Sequence, residues 1–273
     1  DVEGRKKILA IHAKGKPFAT DVDWDKAAKR TVGFSGADLE NMLNEAAIAA
    51  ARHNKKAIDM ADIEESATRV KLGPEKKRLQ TDLDRRMTAY HEAGHALVAW
   101  EMPHVEPIHR ISIVSRGMSL GHTMTEQIER VHETKAHLEE QIAVMMGGRA
   151  AESLVFDDIT TGASDDIEKA TRVARAMVTK FGMSPLGPIN FDTEKTSFYE
   201  SSDISPEMAA KIDLQVNKIA ETAYKNANDI LVKLRDKLDM LAEELLKKET
   251  IDSEDFVKLI GPKKELAVAK AKA

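Results

Sequence analysis

Two histidines four residues apart flank a glutamate in the stretch Tyr90-His91-Glu92-Ala93-Gly94-His95-Ala96. The stretch lies in an apolar, alanine-rich segment from Met87 to Trp100, which reads as a helix. Residues four apart share one helix face, so His91 and His95 point the same way and offer two nitrogens to a zinc ion. Glu92 is placed to take a proton from a water beside that metal. Zinc lowers the pKa of such a water from about 15.7 to about 7, so a carboxylate suffices as base. Two buried histidines with a chance glutamate between them would be the bland account, but H-E-x-x-H on a helix favours the metal. Gly94 sits inside the same helix, where glycine costs about 1 kcal/mol. A backbone or a substrate should therefore approach closely at that point.

The composition narrows the classes open to this chemistry. With 42% hydrophobic and 32% charged residues, the 273-residue chain can bury one large or two modest cores. Only 4% of residues are aromatic, while Ala, Leu, Glu and Lys abound, which leans towards helix. A net charge of −5 leaves no nucleic-acid footprint. Cysteine is absent, so disulfides and thiolate metal sites are excluded, and a reducing compartment fits. No apolar run approaches the roughly 20 residues a membrane helix needs, and no signal peptide is read. Because the chain opens at Asp1 without Met, it reads as a piece of something longer.

The elements that must position the motif follow from periodicity and caps. Residues 1–70 read as four helices: Gly4–Lys14, Asp23–Lys29, one opened by a Ser35/Asp38 capping box and running to Arg52, and one from Ile58 to about Val70. Gly73-Pro74 and the charged residues after it form a polar break. Beyond the H-E-x-x-H helix, stopped by Pro103, Arg110–Val114 and Gly117–Met124 alternate as a hairpin whose open edge could receive a peptide as an added strand. Lys135–Phe156 is helical, with an interruption expected at Gly147-Gly148. Ser164 is expected to cap a helix with a stripe of Ile167, Ala170, Ala174, Met177 and Phe181, stopped by Gly182. A polar loop to Asp203 follows, then two helices from Ser205-Pro206 packing as a hairpin, a last short helix capped within Thr250–Phe256, and a frayed Ala/Lys tail.

A catalytic zinc needs a third protein ligand. The extended form H-E-x-x-H-x-x-G-x-x-H is excluded, because Val98 and Glu101 occupy its later positions. By residue type the candidates are His104, His109, His122, Glu152, Asp165 and Asp166. Physical reasoning favours an acidic residue on a later helix and leaves Glu152, Asp165 and Asp166 open.

Two resemblances bear on this. Asp1-x-x-Gly4-Arg5-x-x-Ile8-Leu9-x-x-His12 and Gly33-Phe34-Ser35-Gly36-Ala37-Asp38-Leu39 resemble the helical lid of AAA-type ATPases. That resemblance implies that His12, Gly36 and Ala37 lie against bound adenosine. A phosphate loop of the form G-x-x-x-x-G-K-[ST] is missing, so ATP hydrolysis is not expected of the chain alone. His91–Ala96, Gly147-Gly148-Arg149-Ala150-Ala151-Glu152 and Thr161-Gly162-Ala163-Ser164-Asp165-Asp166-Ile167 together resemble the FtsH family of ATP-dependent zinc metalloproteases. The family's pattern implies zinc held by His91, His95 and Asp166, with Glu92 as base and Glu152 orienting a histidine. Asp165 stands where Asn is commoner, and His122 where Tyr is more usual.

The expected fold is therefore mainly α: a helical AAA lid at 1–72, a linker at 73–80, a mostly helical zinc-protease domain with a small β-hairpin or sheet at 81–261, and a tail at 262–273. The resemblance implies a zinc endopeptidase acting on unfolded or membrane polypeptides, working as a ring of six. It also implies that ATP is used only by the full-length protein, which would sit at the cytoplasmic face of a membrane through segments outside this chain. The rivals are an inactive ring-forming H-E-x-x-H interaction module, against which the intact Glu92 speaks, and a zinc hydrolase of non-peptide substrates.

Overall fold

The computed structural model describes residues 1–76, 80–117, 119–130, 132–191 and 204–263. Short polar side chains fix where the first helices begin. Asp1, Asp23, Ser35 and Asp59 each accept a backbone N–H in the first turn of α1 (Val2–His12), α2 (Trp24–Arg30), α3 (Gly36–Arg52) and α4 (Met60–Leu72). At Ser35 and Asp59 the bond is reciprocated by Asp38 and Asp62, so the expected Ser35/Asp38 box forms with Asp in the place of Glu. The apolar stripe of α3, Leu39, Met42, Leu43 and Ala46, is fully buried against Leu9, Ala27, Ala28 and Ile63. This core belongs to a unit formed by residues 1–79 with 114–120 and 126–131. Within it Arg116 is buried and donates to Glu65 at 2.6 Å and Glu75 at 2.7 Å.

The second unit, residues 80–113, 121–125 and 132–273, is built on α5 (Asp82–Glu101) and has its own core. Thr81 and Asp84 form a capping box at its start. Its C-cap Met102 is extended because Pro103 follows, and a residue before proline is pushed out of the helical region. α5 packs against α6 (Lys135–Phe156), against α9 (Arg235–Lys248), and against the sheet strand β1 (Ile108–Ser112).

The sheet departs from the sequence reading. It has three antiparallel strands in the order β2–β1–β3, with β2 at His122–Thr125 and β3 at Thr250–Asp252. Thr250–Asp252, expected only as a helix cap, pairs Ile251 with Ile111 before entering α10 (Ser253–Ile260). Three residues are too few for alternation to register as a strand. The consequence is that β1 is central, with Arg110, Ile111 and Ser112 each paired on both sides, so these three residues cannot receive a peptide edge to edge. β2 stands at one end of the strand order and pairs with β1.

Four helical expectations are corrected as well. α6 runs unbroken through Gly147-Gly148, because α5 lies against those glycines and a close crossing, not a break, uses them. A Cβ on Gly94 would fall on the carbonyl oxygen of Gly147 and 2.7 Å from the Ala151 Cβ, while one on Gly147 would lie 2.9 Å from the Gly94 oxygen. The close approach expected at Gly94 is thus a backbone. Ser164 is the first residue of α7 (Ser164–Thr179) and not its cap, since a 3-10 turn at Thr161–Ala163 runs directly into the helix. Ala170, Ala174 and Met177 are buried as expected, but Phe181 is exposed beyond the helix end. α8 (Pro206–Lys233) meets α9 through Leu234 alone, a bend where a hairpin turn was expected; a helical hairpin needs a loop of about 2–5 residues. Of the expected linker, loop and tail, residues 77–79, 192–203 and 264–273 lie outside the described residues.

Replacing Gly94 by Ala would force α5 and α6 apart. Overpacking costs typically about 1–3 kcal/mol, more than the roughly 1 kcal/mol of helix propensity that alanine returns. Thermal denaturation of Gly94→Ala should show a clear loss of stability, and an unchanged midpoint would contradict the close crossing.

Candidate metal centre

α5 carries His91 and His95 one turn apart, and their rings stand edge to face with Nε2 atoms 3.0 Å apart. The other nitrogen of each ring is engaged. His91 Nδ1 lies 2.7 Å from Glu152 Oε1 of α6, and His95 Nδ1 lies 2.7 Å from the Val144 carbonyl oxygen of α6. Both partners are acceptors, so each Nδ1 carries a proton and each Nε2 is the nitrogen left facing inward. α7 adds Asp166, whose Oδ2 lies 3.2 Å from His91 Nε2 and 3.3 Å from His95 Nε2. Among the described residues, His91, His95 and Asp166 are the one group of three donors close enough together to hold a metal ion. Three converging lone pairs repel unless a cation lies among them, and two imidazoles with a carboxylate suit zinc.

The surroundings are shaped to the rings. A Cβ on Gly148 would stand 2.5 Å from His91 Nε2 and 2.6 Å from Nδ1, so only glycine leaves space for the imidazole. Glu152 is itself fixed, accepting the Thr160 N–H at 3.0 Å on Oε2. Glu92 is buried and accepts the Thr123 hydroxyl of β2 at 2.7 Å. Burial pushes the Glu92 carboxyl above its ordinary range, opposed by the neighbouring His91 and His95 rings and the Thr123 hydroxyl.

The other expected candidates lie elsewhere. The Asp165 side chain is 70% exposed and pairs with Lys169 at 2.5 Å, against 24% exposure for Asp166. His104 Nδ1 is 2.5 Å from Glu140 on α6. His109 and His122 belong to strands β1 and β2 and are outside the group. In the first unit His12 ends α1 with its Nδ1 3.9 Å from Glu40, one turn beyond Gly36 and Ala37 at the start of α3. A Cβ on Gly36 would meet nothing within 4 Å, and Ala37 is exposed. Sequence reasoning missed Thr123, Thr160 and the Val144 carbonyl. Neither a single threonine in a strand nor a main-chain oxygen leaves a signal in spacing.

Comparison with known proteins decides the family. The profile of peptidase family M41 matches residues 78–259, and that of the AAA+ lid domain matches residues 21–65. The chain belongs to peptidase family M41. This M41 chain is 48% identical over 265 residues to ATP-dependent zinc metalloprotease FtsH 1 of Sphaerobacter thermophilus, covering 94% of the chain and 41% of that relative. It is 46% identical to FtsH of Thermus thermophilus, covering 95% of the chain and 42% of the relative. With FtsH of Caldicellulosiruptor bescii the identity is 45%, and the covered shares are 95% and 44%. The M41 chain therefore spans 41% to 44% of the length of these relatives.

Without metal, a proton takes the cation's place. Burial alone would lower the His91 pKa, but hydrogen bonds to Asp166 and Glu152 outweigh it and raise the pKa to about 10, while Asp166 is held well below the carboxylate range. The stability this contributes to the metal-free fold is fully present below the ordinary histidine value of 6.5 and is lost as pH rises through about 10. A metal must displace that proton. Titration calorimetry in buffers of different ionisation heat should show close to one proton released per zinc at about pH 7, with affinity rising with pH. Proton-independent binding would mean that His91 is already neutral.

Proposed function

We propose that His91, His95 and Asp166 hold a zinc ion and that the chain is the zinc-dependent endopeptidase part of an ATP-dependent protease. The observation that carries this is the convergence of the three donors on one point, with the buried Glu92 carboxylate on the residue between them in the chain. The names of the relatives, ATP-dependent zinc metalloproteases, agree with it.

Bound zinc supplies an acidified water and polarisation of the scissile carbonyl. The chain's residues do the rest. His91 and His95, pinned through their Nδ1 atoms, keep their ring orientations; Glu152 holds His91 from behind. Glu92 accepts the proton of the attacking water and returns it to the leaving amine. Its burial weakens competing solvation and strengthens it as a base. The substrate would be bound as an extended strand through its backbone, which gives loose sequence preference.

The same reading divides the chain into a lid at 1–72, a linker at 73–80, a peptidase domain at 81–261 and a tail. Support comes from the two separate cores and from the two family matches. In the whole protein His12, Gly36 and Ala37 would contact adenosine, six copies would form a ring, and further segments would anchor it with this part on the cytoplasmic side. Among the described residues no helix is long and apolar enough to cross a membrane.

Two results test the reading. Glu92→Gln should keep its zinc while proteolysis falls by about 10²–10⁴-fold; in the same assay Asp166→Ala should lose zinc and Asp165→Ala keep it. Retained cleavage in Glu92→Gln would remove the glutamate from the mechanism. Because no phosphate loop is present, the chain should digest unfolded casein slowly and a stable folded protein negligibly, with ATP changing neither rate. ATP-stimulated destruction of the folded substrate would overturn that.

A further inference from the structure

We infer that Thr123 is a positioning residue for Glu92, holding its carboxylate in one rotamer; this rests on the reading of Glu92 as the base. Thr123 Oγ1 lies 2.7 Å from Glu92 Oε2 and 3.1 Å from the Glu92 main-chain oxygen. The hydroxyl has one proton to give. The main-chain oxygen already serves the helix ladder, whereas a bond to a carboxylate is charge-assisted, so the proton goes to Oε2. On the other side stands Gly121, where a Cβ would lie 2.7 Å from Glu92 Oε1 and 2.8 Å from its Cγ. Residues two apart on an extended chain face the same way, so one segment bonds one carboxylate oxygen and closes on the other.

The sheet fixes where that hydroxyl sits. Thr123 is opposite Ile111, which is fully buried in β1 and is also paired with Ile251 of β3. The third strand thereby stiffens the strand that aims Thr123. A glutamate has three rotatable side-chain bonds, and a base held within reach of the transferred proton contributes more than one sampling several rotamers.

The test compares Thr123→Val, which keeps shape and strand preference but loses the hydroxyl, with Thr123→Ser, which keeps it. In Thr123→Val casein cleavage should fall roughly ten- to hundredfold in kcat with KM and zinc content unchanged. Thr123→Ser should recover most of the rate. Adding Thr123→Val to Glu92→Gln should cost little more, because the two act as one unit. Crystals of metal-free Thr123→Val should show Glu92 in more than one rotamer, and those of Thr123→Ser in one. Should valine unsettle the sheet, Thr123→Ala read against Thr123→Ser makes the same comparison. The inference is overturned if Thr123→Val keeps full kcat while Glu92→Gln is inactive, or if the serine variant is as impaired as the valine one. An active Glu92→Gln would instead count against the base itself.

Discussion

The structure of the candidate centre depends on how closely two helices cross. At Gly94 and Gly147 the backbones of α5 and α6 touch without side chains between them, and each glycine stands where a methyl group would strike the other helix. Helix axes normally lie about 8–10 Å apart, set by the side chains at the contact. Removing those side chains brings α6 near enough for Glu152 and the Val144 carbonyl to reach the far nitrogens of His91 and His95 directly. A wider crossing would leave both rings free to turn. The tautomers, and with them the direction of the lone pairs, are thus consequences of a backbone contact.

Charge explains the rest of the arrangement. Glu92, Glu152 and Asp166 surround two histidines in a largely buried space, and such a concentration of carboxylates is costly without positive charge. In the metal-free protein His91 supplies it as an imidazolium, shared between Asp166 and Glu152. The same carboxylates that stabilise the proton suit a divalent cation, so metal binding and protonation compete for one electrostatic slot. Glu92 stands apart from this pair of bonds: its partner is a neutral hydroxyl from the sheet, which leaves it able to take up a proton.

The sheet's contribution is out of proportion to its size. Three short strands bury Ile111 and Ile251, and this sets the register of β2 against α5. In the first unit, capping carboxylates and an alanine-rich α3 stripe make a separate small core. Arg116, from the segment that joins β1 to β2, is buried there with Glu65 and Glu75, so the hairpin's connecting segment and its strands belong to different units.

The sequence by itself determined what depends on neighbours along the chain. The histidine pair with its glutamate, the Ser35/Asp38 box, the helix stop before Pro103 and the mainly helical class all follow from periods and caps acting within a turn or two. Asp166 is 75 residues from His91, and physical reasoning left it level with Asp165 and Glu152. Only the packing of α7 turns one aspartate towards the rings and its neighbour towards Lys169. The Gly147-Gly148 pair reads locally as a break, since glycine weakens helices; the tertiary structure makes it a contact, because the energy of a close crossing exceeds the propensity lost. A three-residue strand and a threonine hydroxyl 31 residues from its glutamate leave no pattern in sequence. Their roles exist only once the sheet has closed on α5, because long-range partners are chosen by packing and not by spacing.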